Sequence, residues 1–170
     1  MASSFSTNLG AEIMSSGEKS GTWGDITNFN LNIVDRLVSM ADLTASDTTT
    51  DLTIRVASPT SGSSNVQTGM YSVINLKDSG SDLGGNNTVT VAPNSASRFF
   101  IIKNSLSGSR SAIITQGSGA TVTIANGNVD IVFCNGAGSG AAVTSVGDTL
   151  QLTNNAAIAA EATSLAIALG

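Results

Sequence analysis

From about residue 41 onward the chain is a succession of short β-prone runs, each closed off by glycine, asparagine, serine or proline, and this punctuation limits the fold more than any other feature. The runs are DLTIRVA (51–57), MYSVINLK (70–77), NTVTVAP (87–93), RFFIIKN (98–104), SAIITQ (111–116), TVTIA (121–125), VDIVFCN (129–135) and AAVTSV (141–146). Alternation of apolar and polar residues over such lengths marks half-buried strands, and the gaps are too short to hold crossover helices. The expected architecture is therefore mainly β, an antiparallel sandwich or jelly-roll-like domain. The segments GGNN (84–87), GSGA (117–120) and NGN (126–128) put residues tolerant of positive φ at the reversals.

Two other segments flank this domain. Residues 1–21 lack sustained periodicity and read as an extended arm. Thr22 or Asp25 can then cap an amphipathic helix in which Ile26, Phe29, Ile33, Leu37 and Met40 form one apolar stripe, opposite Asn28, Asn32, Asp35, Arg36 and Ser39. At the other end Ile158, Ala162, Leu165 and Leu169 recur at helical spacing in NNAAIAAEATSLAIALG, a short C-terminal helix suited to packing on a neighbouring subunit. The expected division is 1–40 as arm and helix, 41–148 as β-domain and 149–170 as tail. That tail is too short for a membrane span and carries Glu161, and the start MASSFSTNLG has neither the basic opening nor the apolar run of a secretion signal, so assembly in the cytoplasm is expected.

Composition then narrows the function classes. Only 11% of residues are charged, while Ser, Thr, Asn and Gly make up roughly 45%, so the surface is built from hydroxyls and amides. The net charge is −5, and the seven basic residues stand singly, which argues against nucleic acid as a partner. The chain contains no histidine, which takes away the commonest general base and metal ligand. Asp42, Asp47 and Asp51 lie in a polar turn region where a solvated cluster or a weak cation contact is expected in place of a catalytic pair. Cys134, within IVFC, reads as an inert core thiol. NGAGSGAA (135–142) follows a strand as a dinucleotide fingerprint would, but its third glycine comes early and no amphipathic helix follows, so a hairpin is expected. No catalytic, cofactor or metal residues are assigned, and the chain is expected not to be an enzyme.

The single tryptophan stands out. In SGTWGD, Trp23 sits between glycines at the mouth of the helix. It can staple the incoming arm to the helix, serve as a rigid anchor for a pocket on a neighbouring subunit, with Gly21 and Gly24 letting backbone come close, or do both.

The stretch TNLGAEIMSSGEKSGTWGDITNFNLNIVD (7–35) resembles the opening of tail-fibre and related virion proteins of tailed bacteriophages, marine cyanophages especially. The matching positions are Leu9, Gly10, Gly17, Ser20, Gly21, Thr22, Trp23, Gly24, Thr27, Asn28 and Asn30. A weaker likeness runs through RFFIIKN and VDIVFCNGAG to about residue 145. The resemblance implies a homotrimeric, non-enzymatic virion component that docks on the particle through its N-terminal region, against a tail adaptor, a nozzle or the capsid. Leu9, Gly21, Thr22, Trp23, Gly24, Asn28, Asn30, Ile33 and Leu37 are the expected interface residues. Family members usually run for hundreds of residues and this sequence ends at Gly170, so a short fibre, fibre base or adaptor is expected. A capsid decoration protein and a binder of host-surface glycan, using Tyr71 or the Asn-rich loops, are the alternatives.

Overall fold

The computed structural model describes residues 3–63, 65–80 and 82–149. The expected C-terminal tail, from residue 150 onward, lies outside the described residues.

All eight predicted runs contain strands: β4 (Thr49–Thr53), β5 (Val73–Asp78), β6 (Asn87–Ala92), β7 (Arg98–Ser105), β8 (Ala112–Thr115), β9 (Val122–Ile124), β10 (Val129–Cys134) and β11 (Val143–Ser145). A further strand, β3 (Met40–Ala45), precedes them, and two two-residue strands, β1 (Ser4–Phe5) and β2 (Glu12–Ile13), form a hairpin at the N-terminus. Among the described residues the chain is mainly β with one long helix, α1 (Trp23–Leu37), and a turn of helix, α2 (Val146–Thr149).

The strands form two facing sheets, ordered β11-β10-β7-β5-β3 and β4-β6-β8-β9. Most of their pairing is not antiparallel, which corrects the expected topology. β3 with β5, β5 with β7, β4 with β6, and β6 with β8 are all parallel. Parallel neighbours need a crossover, usually a helix. Here each crossover contains a strand of the opposite sheet: the chain passes from β3 to β4, back to β5, across to β6, back to β7 and across to β8, winding a two-walled coil. Within these two sheets, antiparallel pairing among the described residues appears where the winding ends, between β8 and β9, β7 and β10, and β10 and β11.

Winding stacks like positions above one another. Register aligns Leu43, Leu76 and Asn104 in one inward row of the first sheet, and Val89 with Ile114 in the second. Between the walls lies a single apolar cluster that includes Leu52, Ile54, Ile74, Phe100, Ile102 and Val132. Cys134 is buried there, as expected, and burial pushes its thiol up to about 12.

The expected stripe from Ile26 to Met40 is cut short. α1 ends at Leu37; the Val38 and Ser39 N–H groups still reach back to Asp35 and Arg36 carbonyls, but Met40 already pairs with Val73 as the first residue of β3. Sheet pairing takes over a position whose helical spacing was coincidental. Nor is the arm extended. It folds back as the β1–β2 hairpin and rests on the body, where the Arg55 guanidinium donates to the Thr7 carbonyl at 2.7 Å and the Ser97 N–H to Asn8 Oδ1 at 3.1 Å.

Candidate interaction surface

The helix takes its position from the arm. Within α1, Ile26 and Ile33 are buried against the hairpin and the 60–65 loop, Ile33 to 3% exposure. Asn30 reaches from the same face to the backbone of Glu12. Glu12 is itself buried, its carboxylate accepting from the Ser61 hydroxyl at 2.6 Å and the Gly62 N–H at 2.9 Å, with Lys19 Nζ at 3.9 Å. Burial alone would raise this carboxyl; the hydrogen bonds and the nearby ammonium outweigh it and hold the group below its ordinary range. Glu18 is held down as well, first by the Ser15 N–H at 3.1 Å.

At the far end of α1 the Arg36 guanidinium stacks 4.8 Å from the Tyr71 ring centre and donates to the Gln67 carbonyl. The Ser72 hydroxyl donates to the Leu37 carbonyl. Hairpin, helix and coil are thus tied at both ends of the helix. One face of Tyr71 is already covered by Arg36, which leaves it a reduced surface for stacking a sugar.

The motif residues then separate into two groups. Ile33 and Asn30 are engaged inside the chain, and Leu9 and Leu37 are half-buried. Gly21, Thr22 and Asn28 are exposed, and Trp23 is 63% exposed. Gly21 sits at φ +86, a left-handed turn that a side chain would strain, and this turn delivers the chain into the helix. Thr22 is the N-cap residue but makes no side-chain cap bond; its hydroxyl faces the Lys19 carbonyl instead. The indole does not staple the arm. It projects into solvent from the first residue of a helix whose other face is fixed.

Two more apolar side chains of α1 share this exposure, Leu31 at 59% and Val34 at 57%, as does Val38, the residue that caps its end, at 85%. Met40, Phe99, Ile101 and Val129 are exposed on the outer face of the first sheet, where the Phe99 and Phe133 rings pack at 4.8 Å. The sequence reading missed both sets, because it assigned the helix a single apolar stripe and each strand a polar outer side. Exposed apolar area of this kind marks contact surfaces more often than chemistry.

The candidate acidic residues do not converge. Asp42 lies on β3 and is bound by Lys77 at 2.6 Å and Asn75 at 2.8 Å; Asp47 accepts from the Thr48 N–H in the following turn; Asp51 is exposed on β4. Among the described residues no group of His, Cys, Asp or Glu could hold a metal ion, and no helix is long and apolar enough to cross a membrane. NGAGSGAA forms the β10–β11 connection, with a 3-10 turn at Gly138–Gly140. A cleft of about 430 Å³ opens between β9 and β11, lined by Thr121, Thr123, Val143 and Thr144 among others.

No family model, curated protein or solved structure matches the chain. The functional reading therefore draws on the surface just described and on the resemblance of residues 7–35.

Proposed function

We propose that the chain is a structural component of a phage virion of the tail-fibre type, a short fibre, fibre base or adaptor. It docks on the particle through its N-terminal region and assembles as a homotrimer. The observation that carries this reading is the exposure of Trp23. An indole left in water at the start of a helix pinned by its opposite face is an anchor held ready for a socket, since large rigid aromatics dominate interface energetics once buried. The rigid mounting lowers the ordering entropy that binding must overcome. The SGTWG motif that supplies the indole is also the part of the sequence nearest to the virion proteins.

The test is incorporation. Particles assembled with Trp23→Ala are expected to lack the chain, while the purified variant keeps the far-UV circular dichroism of the parent because the indole contributes little to the chain's own core. Normal incorporation of Trp23→Ala rejects the reading. Imaging of labelled wild-type chain on purified particles distinguishes a tail position from a capsid one.

A further inference from the structure

The two outer faces of the coil differ in kind. On the second sheet the outward positions include Thr88, Thr90, Thr115 and Thr123, which suit a face that meets water. On the first sheet the register instead lines up Met40, Val73, Ile101 and Ile131 across four strands, with the Phe99–Phe133 pair on one side of this row and Val129 on the other. β7 reads Phe99, Phe100, Ile101, Ile102 without interruption, the composition of a strand covered on both faces. Phe100 and Ile102 are buried between the walls, yet Met40, Phe99 and Val129 remain 60%, 58% and 51% exposed.

We propose that residues 150–170 fold back over this outer face of their own chain, as a helix whose Ile158, Ala162, Leu165 and Leu169 cover the row and whose Glu161 meets Lys103. The support expected for the tail, a neighbouring subunit, is replaced by the chain's own sheet, and the virion reading is not needed for it.

The point of departure favours this occupant. α2 lies against β10, where the Ser145 hydroxyl donates to Asp130 Oδ1 at 3.0 Å and a Cβ on Gly147 would stand 2.7 Å from the same oxygen. The chain therefore passes residue 149 beside the Val129 end of the apolar face. Lengths agree as well. Four strands span about 14 Å, and residues 158–169 as a helix span about 17 Å. The residues between, 150–157, reach up to roughly 27 Å, enough to arrive anywhere on the face. So short a link holds the stripe at an effective concentration on the order of millimolar, which favours the attached sheet over a neighbour's.

Pattern and charge supply the rest. A helix with one apolar stripe needs another layer to bury it, and a sheet with an apolar outer face needs the same. Glu161 is the only charged residue from 150 to 170 and flanks the stripe, three residues after Ile158 and four before Leu165. Lys103 is exposed at the corner of the face, opposite Val129, and forms no ion pair among the described residues. An exposed pair of this kind sets register more than it adds stability.

Disulfide trapping in the full chain tests the placement. After mild oxidation, Ile101→Cys/Ala162→Cys is expected to lose both new thiols while keeping the 17.0 kDa mass of one chain, because a bridge needs the two Cα atoms within about 7 Å. Cys134 is buried and should not react. The control Thr90→Cys/Ala162→Cys, on the outer face of the second sheet, is expected to keep its thiols. Separately, Leu165→Glu should raise the fluorescence of an added anilinonaphthalene sulfonate dye severalfold, with the sheet signal in the far-UV unchanged, as the apolar face is uncovered. Free thiols in the Ile101 variant, equal bridging in the Thr90 control, a product of two chains, or unchanged dye fluorescence would each overturn the proposal.

Discussion

The carboxamide of Asn30 pairs with the backbone of Glu12 as a neighbouring strand would: Oδ1 accepts the Glu12 N–H at 3.0 Å and Nδ2 donates to the Glu12 carbonyl at 2.9 Å. A side chain on the helix thereby occupies an edge of the β1–β2 hairpin, and the arm and helix become one body. This is what aims Trp23. An indole on a frayed arm would sample many directions, whereas one on a helix joined to a hairpin, itself tied to Arg55 and Ser97, projects in one.

Asn30→Ala removes both bonds. At about 1 kcal/mol for each hydrogen bond, the contact between hairpin and helix should weaken by roughly 2 kcal/mol. The two-sheet coil lies elsewhere and should keep its cooperative unfolding. Limited trypsin digestion reads the difference directly, since Lys19 lies in the turn between hairpin and helix at φ 64. Cleavage after Lys19 should quicken by about tenfold or more in the variant. Equal rates would mean that the arm is held by the Thr7, Asn8 and Glu12 carboxylate contacts without help from Asn30.

Inside the coil the decisive polar group is Asn104. Its row begins Leu43, Leu76, so hydrophobic patterning would ask for a third leucine. The amide instead donates to the Arg110 and Ile124 carbonyls, each at 2.9 Å, and accepts the Leu106 N–H at 3.1 Å, which closes the turn where β7 ends. Asn104→Leu would gain at most about 1.5–3 kcal/mol from apolar burial. It would strand three backbone groups, each costing about 1–3 kcal/mol. The losses outweigh the gain, and the urea midpoint should fall by the equivalent of roughly 2 kcal/mol or more. The exposed neighbour Lys103→Leu should stay within about 0.5 kcal/mol of the parent. A neutral Asn104→Leu would show that those carbonyls reach water.

These cases mark what the sequence could and could not disclose. Strand positions were legible because alternation and turn residues are local signals; every predicted run, from DLTIRVA to AAVTSV, holds a strand. Strand direction was not, because a period of two is the same whichever way the neighbour runs, and because the crossovers that make β5 and β7 parallel contain strands instead of helices. The start of α1 was legible from its apolar spacing, but its end was not, since Met40 fits the helical stripe and the β3 ladder equally well. Asn87, Asn104 and Gln116 looked like surface residues by type; all are buried, and Gln116 holds two chain segments together by donating to the Ala96 carbonyl and accepting the Gly136 N–H. The indole was noticed for its rarity, but only the fold distinguishes a staple from an exposed anchor.

Acid should act first on the hairpin. Glu12 is depressed below its ordinary value of 4.5 because the bonds from Ser61 and Gly62 and the Lys19 charge outweigh its burial, and Glu18 is depressed below the same value chiefly by the Ser15 N–H. A carboxyl with a lowered folded pKa adds stability that is complete well above the unfolded value and disappears as pH falls through the folded one. The window therefore opens near pH 4.5 and extends downward. Both groups act on residues 3–19 and the 61–62 loop, so the arm should loosen while the coil stays folded. Hydrogen exchange of the Ser15 and Gly62 amides, compared at pH 6 and pH 3.5 after correction for intrinsic rates, should show protection reduced at both sites but kept at Ile102 and Ile114. Glu12→Gln, which keeps the shape and lacks the charge, should already show the loosened Gly62 contact at pH 6 and little further change there at pH 3.5, while Ser15 still responds to acid through Glu18. Uniform loss of protection across arm and coil would instead place the acid-sensitive groups on the sheets, where Asp42 and Asp78 are the other carboxylates held below their ordinary values.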